Sequence, residues 1–89
     1  MSTLLTVILE VSSVETTALL IKMGAAFVTA IIVWGAAWGI SRIGVKALDS
    51  IARQPEAAND IRGSMIVVAA LIEGATFFAI VVCLLVLFV

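Results

Sequence analysis

The sequence predicts an all-α membrane protein: a transmembrane helical hairpin of two antiparallel membrane-spanning helices that assembles into an oligomeric ring. Three observations predict the hairpin. The 89 residues are 64% apolar and 12% charged, whereas a soluble domain is about a quarter charged. A water-soluble monomer of this size would leave much of that apolar surface exposed. Two stretches reach the ~20 apolar residues that cross a bilayer: Met23 to Ser41 without a charge, and Gly63 to Val89 with a single one at Glu73. The only proline, Pro55, lies in the polar run between them. Strands are unsuitable, because a lone β-hairpin in lipid leaves its edges unsatisfied.

The chain reads as one two-helix domain over residues 1–89. Residues 1–14 are too polar and too short to span, and form a short tail at the membrane surface. They have no basic residue ahead of their apolar run, so they do not read as a signal peptide. Ser12 and Glu15 fit a capping box, which starts helix 1 and gives it the span 15–52. Residues 53–60 form a polar loop, because Pro55 lacks a donor and pushes Gln54 out of the helical region. Asn59 and Asp60 suit the cap of helix 2, residues 61–89. Short connections join antiparallel neighbours. Arg42, Lys46, Arg53 and Arg62 surround the loop, whereas the other end has only Lys22. The positive-inside rule therefore places the loop in the cytoplasm and both termini outside.

Several functions are excluded by counting. A net charge of -1 gives no basic patch for nucleic acid. The chain has no His and a single Cys, so the usual zinc and haem ligands are missing and no intramolecular disulfide can form. Cys83 reads as a small apolar filler. No constellation suggests an active site, and no cofactor or metal is expected.

Glu73 is the residue that carries chemistry. It lies ten residues into the second apolar stretch, where a charge costs a few kcal/mol at least. Protonation, pairing or a water-filled cavity can relieve that cost. A group that is neutral in lipid and ionised beside water carries protons; a protonated Glu that only hydrogen-bonds a neighbouring helix is the plainer alternative. Folding about Pro55–Ala57 brings Glu73 level with Ile40. There helix 1 has two small-xxx-small pairs, Gly35 with Gly39 and Ala37 with Ser41, which allow close backbone approach in lipid. Two such rows exceed what one partner helix can use, and the surplus predicts a closed homo-oligomer.

These residues resemble a known family. The hairpin, the stretch Gly35-x-Ala37-x-Gly39-x-Ser41, the loop Ala52-Arg53-Gln54-Pro55-Glu56 and the lone Glu73 are together similar to the c subunit of rotary F-type ATP synthases, over roughly residues 16–89. Leu71-Ile72-Glu73-Gly74 and the loop from Arg53 to Asp60 look bacterial, which implies a bacterial inner membrane. The resemblance implies a homo-oligomeric rotor ring in membrane lipid, with helix 1 inside and helix 2 outside. It implies that Glu73 binds and releases the coupling ion at the a subunit of the stator, where an arginine separates two half-channels. Arg53, Gln54 and Pro55 would contact the gamma and epsilon subunits of the central stalk. Glu73 would also be the target of hydrophobic carbodiimides.

Sodium-type members of the family carry polar groups that here are replaced by Ile40, Gly74, Ala75 and Phe78. A hard cation needs several oxygens, whereas a proton needs one carboxyl, so the expected coupling ion is the proton. Trp34 and Trp38 add bulk beside the small residues and read as packing or lipid contacts. Arg42 admits two readings, a salt bridge to Glu73 or snorkelling to the cytoplasmic interface; the second is preferred. Outside the family, the alternative is a small pore-forming or structural membrane hairpin in which Glu73 lines a channel or serves as a buried hydrogen-bonding residue.

Overall fold

The computed structural model describes residues 2–89, in which two helices run antiparallel. Helix α1 spans Ser2–Arg53, a 3-10 turn spans Pro55–Ala57, and helix α2 spans Ala58–Val86. The pair forms a thin rod with principal extents of 81 × 17 × 7 Å. Both helices are long and apolar enough to cross a membrane. At 1.5 Å per residue α1 is about 78 Å long and α2 about 44 Å, so the N-terminal part of α1 extends past the end of α2.

The helix boundaries differ from the sequence expectation in three places. Residues 2–14 are not a separate tail: α1 begins at Ser2 and runs through the expected cap at Ser12. Neither Gly nor Pro interrupts residues 2–23. The hydroxyls of Thr6, Thr16 and Thr17 donate to the carbonyls of Ser2, Ser12 and Ser13, four residues back, at 2.8, 2.8 and 2.9 Å. These polar side chains thus bond inside the helix rather than ending it. The expected loop 53–60 also contracts. Gln54 leaves the helical region, at φ -133°, ψ 73°, as the proline after it favours. Its N–H donates to the Ser50 carbonyl at 2.9 Å, and its carbonyl accepts from Ala57 N–H at 3.0 Å. Pro55, with φ already set, starts the next turn. Asn59 and Asp60 consequently lie within the first turn of α2, and its flanking residue is Ala57, without a side-chain cap. The third difference is at the C-terminus, where α2 ends at Val86 and Leu87 and Phe88 complete a turn.

The half-buried residues recur every three or four positions. On α1 they include Ala25, Thr29, Ile32, Ala36, Gly39, Ile43 and Ile51; on α2 they include Ile61, Met65, Ala69, Ile72, Thr76 and Cys83. This spacing marks one stripe on each helix, and the two stripes form a seam. At one level a small residue of α1, Gly39, stands opposite the larger Ile72 of α2. A Cβ built on Gly39 would lie 3.7 Å from Ile72 Cδ1, so close approach at this level depends on the missing side chain. Thr29 and Thr76 lie in the seam without an unpaired hydroxyl, each donating to the carbonyl four residues back at 2.7 Å. Ala47 is the only residue of the described chain that one hairpin buries.

Candidate functional site

Glu73 follows Ile72, which faces α1, and precedes Gly74. One residue is a rotation of about 100° around a helix, so the carboxylate points away from the seam onto one flank of the hairpin. It is exposed there. Its neighbours along the same stripe of α2 are Ile66, Ala70 and Phe77, all apolar and all exposed. Among the described residues it makes no ion pair; the one present joins Arg53 to Asp49 at 3.3 Å near the loop. One hairpin therefore leaves an acid without an ion-pair partner on an apolar stripe of α2, open to whatever stands beside it.

The small residues of α1 divide between seam and flanks. Gly39 is half-buried against Ile72, and Gly35 has no atom within 4 Å of a built Cβ. Ala37 and Ser41 are exposed. Gly35 and Gly39, expected as one packing pair, are thus separated: Gly39 serves the hairpin, and Gly35 faces outward. The rule is geometric. In an antiparallel pair, residues that follow a seam residue share one flank on both helices, and residues that precede one share the other. Ala37 follows Ala36 as Glu73 follows Ile72, which puts both on one flank; Gly35 precedes Ala36 and lies on the other. Ser41 follows the half-buried Ile40 and so shares the Glu73 flank; its hydroxyl donates to the Trp38 carbonyl at 2.9 Å.

Arg42 precedes Ile43, so it lies on the flank opposite Glu73. Its guanidinium stacks over the Trp38 ring, 4.8 Å from the centroid. The salt-bridge reading is thereby replaced by a cation–π contact. The i,i+4 spacing of Trp38 and Arg42 was the signal for it in the sequence. Arg53, Gln54 and Pro55 are exposed at the turn. Of the four residues on which the expectation of a proton rests, Ile40 is half-buried and Gly74, Ala75 and Phe78 are exposed. Thr76, the nearest hydroxyl on α2, is turned into the seam and donates to the Ile72 carbonyl.

The model of the ATP synthase C subunit family matches residues 23–86, which include the seam, the turn and Glu73. The chain belongs to this family. Among relatives, the ATP synthase c subunit of Phocaeicola vulgatus is 60% identical over 67 residues, covering 75% of this chain and 80% of that one. Its namesake from Bacteroides thetaiotaomicron is 57% identical over 67 residues, covering 75% and 79%. The ATP synthase c subunit numbered 2 in Cereibacter sphaeroides is 39% identical over 74 residues, covering 83% and 89%. No solved structure matches the chain. Membership in the c-subunit family, with two helices able to span a bilayer, makes this a bacterial membrane protein of ion transport and ATP synthesis. Residues 2–22 of α1 lie outside the matched span.

Proposed function

We propose that this chain is the proton-carrying rotor subunit of the Fo sector, and that Glu73 is the group that carries the proton. The observation that supports the role most directly is the setting of Glu73. It is an ionisable side chain deep in the apolar part of α2, with only apolar neighbours along its own stripe of that helix and no ion-pair partner among the described residues. Ionised, it would be costly in lipid; as the neutral acid it can travel there. Beside water at the a subunit of the stator, a carboxyl oxygen gives up its proton to one half-channel, and the carboxylate takes a proton from the other. The stator arginine holds the ionised form between these two steps and keeps the paths apart. One charge crossing 100 mV is worth about 2.3 kcal/mol, so several protons must pass for each ATP.

Copies of the hairpin form a ring with α1 inside and α2 outside. Gly35, Ala37 and Ser41, left off the seam, are available for contacts between copies. The basic residues Arg42, Lys46, Arg53 and Arg62 favour a cytoplasmic turn and external termini. Arg53, Gln54 and Pro55, exposed at that turn, meet the gamma and epsilon subunits of the central stalk and pass rotation to them. The proton reading rests on Ile40, Gly74, Ala75 and Phe78, none of which offers a side-chain oxygen to a hard cation.

The test uses a hydrophobic carbodiimide on membranes containing the whole synthase. The neutral acid protonates the carbodiimide nitrogen, and its oxygen then adds to the central carbon, so only the protonated carboxyl is labelled. Labelling of Glu73 should rise as pH falls and should not change with sodium. Protection by sodium would overturn the proton assignment. ATP-driven proton pumping that survives Glu73→Gln would overturn the rotor role.

A further inference from the structure

A groove of about 620 Å³ opens on the flank opposite Glu73, near the turn. Its walls are Arg42, Lys46 and Ser50 from α1 and Asp60, Ser64 and Val68 from α2, over a floor that includes Ala47 and Met65. Each wall residue immediately precedes a seam residue, which is why all six open on one side. Asp60 makes no ion pair within this groove, since Arg53–Asp49 is the one pair among the described residues. Arg62 lies on the other side of Ile61 from Asp60. Two residues are about 200° of rotation, so Arg62 shares the Glu73 flank. Its only side-chain partner among the described residues is the Asn59 Oδ1 atom, which accepts from it at 3.5 Å.

We infer that this groove seats the next copy of the chain, whose Arg62 enters it and pairs with Asp60. The inference rests on the ring reading above. Rotation about a ring axis keeps every copy at the same height and turns the groove flank of one toward the Glu73 flank of the next, a heterologous contact that closes. Asp60 and Arg62 differ in height by only two residues, about 3 Å. An acid on one flank and an arginine on the other, each without an ion partner in its own hairpin, are therefore brought together at every joint. The guanidinium fork suits a carboxylate, to which it can donate two hydrogen bonds. The pairs would form a belt around the ring beside the turn, and would set the angular position of each copy against its neighbour. An anionic lipid headgroup, drawn by Arg42 and Lys46, is the competing occupant, and the experiment separates the two.

The experiment compares rings purified from Asp60→Arg, Arg62→Asp and the double exchange, with Asp60→Asn as a milder variant. Mass of the detergent-extracted oligomer is measured first, then the temperature at which it dissociates. Each reversal should lower that temperature, Asp60→Asn should lower it less, and the double exchange should recover at least half of the loss. A double exchange no better than the two reversals combined would overturn the pairing. So would an anionic phospholipid that co-purifies with the ring and is lost on Arg42→Ala. A wild-type extract that contains only single hairpins would instead overturn the ring reading, so the two failures are distinct.

Discussion

Gly39 gives the sharpest test of the hairpin itself. Its built Cβ lies 3.7 Å from Ile72 Cδ1, an ordinary van der Waals distance. Gly39→Ala therefore fits without movement and gains a few contacts of about 0.1–0.2 kcal/mol each. Gly39→Val is different. Its γ-carbons extend about one bond, ~1.5 Å, past Cβ, and valine has one strongly preferred rotamer in a helix. A methyl directed at α2 would come within roughly 3 Å of Ile72, so the helices must separate or Ile72 must leave its rotamer. Overpacking of this kind costs about 1–3 kcal/mol. The assay is the thermal dissociation of the purified oligomer, with the separation of spin labels on α1 and α2 as a direct measure of helix spacing. Alanine should leave both close to wild type; valine should lower the dissociation temperature and lengthen the distance. Valine at wild-type values, or alanine as damaging as valine, would refute the close approach at this level.

Two further outcomes follow from the same hairpin. Thr76→Val removes a hydroxyl that donates only to its own helix at 2.7 Å; the Ile72 carbonyl keeps its helical N–H donor. The dissociation temperature should move by no more than the equivalent of about 1 kcal/mol and proton pumping should persist, and loss of pumping would show that the hydroxyl serves Glu73 instead. Removing residues 2–17, all exposed and beyond the reach of α2, should leave the seam and the oligomer intact, measured by mass in detergent. Its failure to assemble would give that segment a role in the ring.

Two helices were legible because long apolar runs without a breaker have few alternatives in lipid, and the turn was legible because Pro55 stands alone. The N-terminal boundary was not. Ser12 and Glu15 have the spacing of a cap, but threonine hydroxyls that return to carbonyls four residues back let a helix pass through polar residues without stopping. The same local bias misplaced Asn59 and Asp60, since Pro55 starts the reversal earlier than their capping preference does. Around Glu73 the depth was readable and the facing was not. When almost every residue of α1 from Met23 to Ser41 is apolar or small, several rows at i,i+4 satisfy the pattern equally. No polar face marks which row meets α2, so Gly35 and Gly39 looked equivalent although only Gly39 does so. Arg42 resolved for a related reason: its distance along the axis suggested Glu73, whereas rotation about the axis places it over Trp38.

One hairpin buries Ala47 and nothing else among its described residues. Such a chain has almost no private interior, so nearly every side chain faces lipid, a partner or another copy of itself. In a closed ring, a substitution on a flank is made once in the gene and felt at every joint. A change of about 0.5 kcal/mol, ordinarily unremarked at a protein surface, is then multiplied by the number of copies. The tolerance of this sequence to mutation is therefore governed by symmetry, and its flanks should be less forgiving than their exposure in a single hairpin suggests.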